Sequence, residues 1–235
     1  MRLAAALSLL ALTAPAMGQS QPLDDIGALA WVRSMTGFPL EMRAIGTVTI
    51  APGGVIVADP LTFFSAAGSP AIPAPAGSAQ FIVALDAETG RVSKALLVFS
   101  AAPVACGRDE ATVGVDTGLA AFLDQPTALA LANLAQAVSP DRNIYDDWFN
   151  RFIGASQVVA DLVPLPSGES VPMMSSGWGD GGYPVASLSD AEGRMVAVYA
   201  DFMGINQDGD WLLPQECDPP EVTRLIDPSF PPSNL

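Results

Sequence analysis

The chain has 235 residues, with 10 lysines and arginines against 25 aspartates and glutamates, a formal charge of −15 and no histidine. That balance disfavours nucleic-acid and anionic-membrane partners, whose phosphates attract basic surfaces, and suits a solubilising surface or a basic partner. The missing histidine removes Ser-His-Asp and Cys-His catalysis and every imidazole metal site, and two cysteines are too few for a structural zinc.

Residues 1–18, MRLAAALSLLALTAPAMG, read as a cleavable secretory signal. Arg2 precedes an apolar run from Leu3 to Leu12, Pro15 breaks it, and the small residues Ala16 and Gly18 stand before Gln19. The run is too short for a permanent span of about 20 residues, and no cysteine beside the cleavage site can carry a lipid anchor. The expectation is a periplasmic or secreted protein without membrane anchoring. A single α+β domain over 19–213 is followed by a proline-rich tail over 214–235.

After the signal, residues 23–35 suit a short helix capped by Asp24 or Asp25. The strands 47–50 and 55–58 flank Ala51-Pro52-Gly53-Gly54, which has the chemistry of a hairpin turn. Residues 66–78 carry three prolines and two glycines and suit a surface loop or an edge. A second hairpin joins 81–85 to 91–100 across Asp86–Gly90, and 111–116 is a fifth strand. Residues 118–124 fit strand or helix equally. Two consecutive central helices follow, one capped by Asp124 with Pro126 in its first turn. The other is capped by Ser139 and carries Ile144, Trp148, Phe149 and Phe152 on one face. Strands 157–163 and 170–176 come next, then a third hairpin joining 185–189 to 194–202, and a turn over 206–210 before 211–213. The fold class is therefore α+β, mainly antiparallel hairpins with two central helices.

Cys106 and Cys217 are an even pair in an exported chain, which favours one disulfide pinning the tail to the domain. The chain-entropy model gives such a long loop about 4–5 kcal/mol. Two buried free thiols are the alternative.

Residues 77–99 and 181–202 resemble each other: each has a glycine, an Asp-Ala-Glu turn, a Gly-Arg pair and an apolar return. An internal duplication and two hairpins obeying the same turn chemistry both account for this. The segment SSGWGDGGYPV (175–185), the following DAEGR (190–194) and the strand ending Asp201-Phe202 resemble a bacterial family of unknown function, DUF4241. Two upstream pieces, Gly54–Pro60 and Val113–Asp124, agree with it in order. The resemblance implies no activity.

Four glycines in Gly177–Gly182 permit a sharp turn or a close backbone approach, and Trp178 and Tyr183 could frame a shallow platform around Asp180. A purely structural turn with a packed Trp178 explains the same residues. Carboxylates remain as chemistry: Asp59, Asp116, Asp124, Asp180 and Asp201 fall at strand ends or turns. Gathered in one pocket, Asp116, Asp180 and Asp201 would suit a hydrolase acting on an envelope or extracellular polymer. A Ser-Lys dyad would have to use Lys94, the only lysine, and the strand pleat turns Ser93 to the opposite face. Asn206–Asp210 lacks the acidic ends of a calcium loop, and no phosphate-binding glycine motif precedes a helix. The expectation is a non-enzymatic binding module, with Asp116, Trp178, Asp180, Tyr183 and Asp201 at the site. No cofactor or metal is expected, and the partner is an unknown protein or small ligand.

Overall fold

The computed structural model describes residues 22–63, 70–137, 144–150, 159–204 and 215–217. The signal segment, the Ser139 cap, the turn over 206–210 with 211–213, and most of the tail lie outside these residues. A helical turn, Leu23–Asp25, leads to α1 (Gly27–Met35). Then come β1 (Leu40–Ile50), β2 (Ile56–Ala58), β3 (Gly77–Asp86), β4 (Val92–Val98), β5 (Cys106–Val115) and β6 (Leu119–Leu123). They are followed by α2 (Gln125–Ala137), one wide helical turn (Tyr145–Phe149), β7 (Ala160–Pro164), β8 (Ser170–Ser175), β9 (Gly181–Ser189) and β10 (Met195–Asp201). No described helix is long and apolar enough to cross a membrane.

Two antiparallel sheets form, one of six strands in the order β1-β3-β4-β10-β9-β5 and one of four in the order β2-β6-β8-β7. Strand alternation sorts their side chains into three cores. Phe81, Val83, Leu97, Val198 and Phe202 meet Phe122 and Met174 between the sheets. Leu96, Ala186 and Tyr199 pack under Ile26, Leu29 and Val32 of the α1 region on the outer face of the larger sheet. On the outer face of the smaller sheet, β6 offers the small Ala121 between Leu119 and Leu123, and this face packs on Ala128 and Leu131 of α2 and on Trp148. The layers are helix, sheet, sheet, helix.

Several expectations change. The first helix starts at Gly27, after a separate turn over Leu23–Asp25, and its N-cap is Ile26, with no side-chain cap, so neither Asp24 nor Asp25 caps it. The segment 51–54 does not close a hairpin: β1 belongs to the larger sheet and β2 to the smaller, so this turn carries the chain between layers. Within the Pro-rich stretch, Ile72 is buried and exchanges both backbone hydrogen bonds with Val55. Residues 119–123 are strand, and all five are buried because both faces of β6 are covered. Of the second central helix, the described part is the wide turn, with Ile144, Trp148 and Phe149 buried together as their spacing requires.

The hairpin resemblance extends to the whole larger sheet. β4 and β10 pair about a centre where Leu96 faces Tyr199, with Leu97 opposite Val198 on one side and Ala95 opposite Ala200 on the other. A two-fold through that centre maps β3-β4 onto β9-β10 and β1 onto β5. It also maps β2 onto β6, which pair about Val57 and Phe122. The bulges follow the same operation: one extra residue at Ile45 in β1 and at Glu110 in β5, at Ser93 in β4 and at Val196 in β10. Turn chemistry alone cannot place four bulges in register, so the chain contains two β-sheet repeats. The stretch from α2 through β8 is an insertion in the second.

Cys106 and Cys217 are bonded, with Cα atoms 4.9 Å apart and a sequence separation of 111. Beside the bond, Gly107 N–H donates to Gln215 O (2.8 Å) and Cys217 N–H to Gly107 O (2.9 Å), so the tail joins the outer edge of β5 in parallel. Replacing both cysteines by serine is expected to lower the unfolding free energy by about 2–5 kcal/mol, read from urea melts, because a long loop is released in the unfolded state.

Candidate functional site

The ends of the β-strands are fixed by two aspartates in symmetric positions. Asp59, at the end of β2, takes the N–H of Leu61 (3.0 Å) on Oδ1 and those of Asp116 and Thr117 (2.9 Å each) on Oδ2. The Thr117 hydroxyl donates to it as well, at 2.8 Å. Asp124, at the end of β6, takes the N–H of Thr127 (3.0 Å) as the cap of α2, and that of Ala51 (2.8 Å). Ala51 and Asp116 are equivalent in the two repeats, so each aspartate clamps the turn of the other repeat.

The Asp116-Thr117-Gly118 turn lies beside the β8–β9 turn, because Ser176 N–H donates to Gly118 O at 2.9 Å. The Gly179 carbonyl accepts two hydroxyls, from Ser176 (2.7 Å) and Tyr183 (2.8 Å). Gly177 lies against the Val92 carbonyl and the Met203 side chain with no room for a Cβ. One glycine of the run thus serves a close approach within the fold. Held this way, the turn presents Trp178 at 47% exposure, and Asp180 is exposed beside it.

The predicted site residues therefore separate. Asp116, Trp178 and Asp180 reach the surface at one end of the β5–β9 pair. Tyr183 is buried edge-on to Phe202, with centroids 5.2 Å apart, and supports the turn from below. Burial pushes its phenol up, Ser176 opposes this through a hydrogen bond, and the Asp180 charge adds to the rise. Asp201 is fully buried on the α1 side, with Lys94 Nζ at 2.7 Å from Oδ1 and the Tyr199 hydroxyl at 2.7 Å from Oδ2. The three carboxylates of a hydrolase thus do not share a pocket. The pleat argument about Ser93 also needs correction. Ser93 is the bulged residue of β4, and the bulge brings its Oγ to 3.2 Å from Lys94 Nζ. Both residues are sealed from solvent. Among the described residues, no group of three or more metal-ligating side chains converges.

Sequence reasoning missed a groove of about 270 Å³ between β2 and β5, the edge strands of the two sheets. Ile56–Ala58, Phe63, Ile72 and the run Ala111–Gly114 line it. At its Gly114 end, β5 passes through Val115 into Asp116, beside the Trp178 turn. The symmetric position is filled: β8 pairs with the far edge of β6, β7 follows, and Leu162 of β7 presses on Gly46 of β1.

Residues 109–200 match the model of a family described as Protein of unknown function (DUF4241). The matched stretch runs from within β5 to within β10 and covers most of the second repeat with its insertion. The similar upstream segment Gly54–Pro60 lies outside it and is the structural counterpart of Leu119–Gln125. No curated protein and no solved structure matches the chain.

Asp59→Ala would leave the N–H groups of Leu61, Asp116 and Thr117 without this acceptor. Only the Leu61 bond is fully buried, so at about 1–3 kcal/mol for that orphan and less for the other two, a loss of about 2 kcal/mol or more is expected in denaturant melts, exceeding that of Asp124→Ala. Asp180→Asn, on an exposed side chain, should shift stability by less than about 0.5 kcal/mol.

Proposed function

We propose that this is an exported, non-enzymatic interaction module that takes an extended, basic segment of a partner protein along the edge between β2 and β5. The observation that carries this reading is the symmetric comparison: β8 pairs along β6 in one half, whereas among the described residues the equivalent edge of β2 is paired only at Val55, by Ile72, and a groove runs on between β2 and β5. An open strand edge offers backbone donors and acceptors in a row, and extended peptides bind such edges by strand addition. The outer edge of β5 already takes one extended segment, Gln215–Cys217, further upstream.

Charge and shape specify the partner. The chain carries −15, and exposed Asp116 and Asp180 stand at the end of the groove. Trp178 projects there from a turn held by the Ser176 and Tyr183 hydroxyls on the Gly179 carbonyl, which limits the backbone entropy lost on contact. Ala111–Gly114 would accommodate about four residues of an extended segment, roughly 13 Å at about 3.3 Å per residue. Export is supported by the N-terminal pattern and by the disulfide, a bond that persists in oxidising compartments.

Short labelled peptides of alternating valine and arginine test this, with valine–glutamate peptides as the counterpart. Fluorescence anisotropy should show binding of the basic peptide alone, weakening with salt. Gly114→Arg should weaken it, because the added side chain meets no atom within 4 Å and sets a cation on β5 beside the groove, where it repels a basic segment. Trp178→Ala should weaken it with the unfolding midpoint unchanged. Equal binding of both peptides, or binding indifferent to both substitutions, would overturn the reading.

A further inference from the structure

The two-fold that relates the repeats is broken at one pair in the centre of the larger sheet. On one side of the Leu96–Tyr199 centre, Val98 faces Ala197, an apolar pair. At the symmetric position Lys94 faces Asp201. The sheet therefore accepts an apolar pair at this site, and a buried ion pair is often no more stabilising than apolar residues of similar volume. Lys94 is nevertheless the only lysine of the chain, and the two side chains are 1% and 0% exposed.

Several groups converge on the pair. Lys94 Nζ lies 2.7 Å from Asp201 Oδ1, and Ser93 Oγ is a second acceptor for it at 3.2 Å. Oδ1 also receives the Met203 N–H at 3.1 Å, and Oδ2 receives the Tyr199 hydroxyl at 2.7 Å. The Phe38 ring closes over Nζ with its centroid 5.8 Å away. Gly204 backs the carboxylate so closely that any Cβ would land on it. Desolvation pushes the Lys94 amine down, against the Asp201 charge and hydrogen bond that hold it up. Burial thus favours the neutral, nucleophilic form of the amine.

We propose that Lys94 and Asp201 join in an isopeptide bond, formed by the folded protein on itself with loss of one water. The Nζ lone pair attacks Asp201 Cγ and a C–N bond forms. The Met203 N–H holds the charge that develops on Oδ1, as backbone donors do for tetrahedral intermediates. Nζ gives up two of its three protons in all and keeps the third on the amide; both reach Oδ2, one of them relayed by the Tyr199 hydroxyl, which donates its own and takes up one from Nζ, and Oδ2 departs as water. Ammonium and carboxylate become one secondary amide and one water, so neither oxidant nor cofactor enters. The fold supplies the proximity that makes such a condensation intramolecular. The product ties β4, the last strand of the first repeat's hairpin, to β10, the last strand of the second.

Mass spectrometry of the purified full chain, reduced and unfolded, decides. The expected chain is one water lighter than its sequence, and digestion yields the Lys94 and Asp201 peptides as one joined species. An amine-reactive reagent in denaturant then labels only the α-amino terminus. Tyr199→Phe, which removes the proton donor to Oδ2, should leave part of the protein unjoined, and Lys94→Arg should abolish the joined species. Full mass with Lys94 labelled overturns the proposal. So does a water loss mapped elsewhere, such as a succinimide at Asp180-Gly181, or a water loss that persists in Lys94→Arg.

Discussion

The antiparallel pairing of β4 with β10 is the constraint from which the rest of the fold follows. These strands share no turn, and each is the return strand of its own hairpin. Once Leu96 is set opposite Tyr199, β3 and β9 are placed outside them, and β1 and β5 outside those. The bulges at Ile45 and Glu110, and at Ser93 and Val196, then bend equivalent strands by equivalent amounts. β1 and β5 both end by crossing to the second layer, where β2 and β6 meet again. The two repeats touch at both seams, and the reciprocal bonds of Asp59 and Asp124 lock each crossing turn to the other repeat. Neither half has a complete sheet or complete turns alone.

What was legible in the sequence was what local chemistry determines. The two Asp-Ala-Glu hairpins were readable because Asp86 binds the N–H groups of Glu88 and Thr89, and Asp190 those of Glu192 and Arg194, all within a few residues. Asp124 was readable as a helix cap for the same reason, while its bond to Ala51 is between distant residues and carries no local signal. β6 was ambiguous because a strand buried on both faces loses the alternation that identifies a strand. The turn over 51–54 misled because its residues suit a hairpin, and only the partners of β1 and β2 show that it crosses between layers.

The candidate site was legible in part. Glycine-rich spacing around Trp178 and Asp180 marked a tight, exposed turn, and one of its glycines does meet backbone closely, at Val92. The fate of Asp201 could not be read, because ionisable residues at strand ends look alike in sequence. Which one is buried depends on Lys94 standing opposite it across the seam. The groove was invisible for a related reason: its walls, β2 and β5, lie on different sheets and are apolar or small in ordinary ways.

Symmetry gives these features a common meaning. Two repeats under one two-fold should give equivalent surroundings at every equivalent pair, and departures mark where the halves have been put to different uses. One departure is the insertion from α2 to β8, which fills one edge slot and leaves its counterpart a groove. The other is the replacement of an apolar cross-strand pair by Lys94 and Asp201. A stabilising core would favour the apolar choice at both positions, since desolvating two charges costs several kcal/mol per ion before their attraction offsets it. The charged pair therefore calls for a reason beyond packing, just as the unfilled edge calls for one beyond folding, and the two lie in the same larger sheet, joined through β10 and β9 to β5.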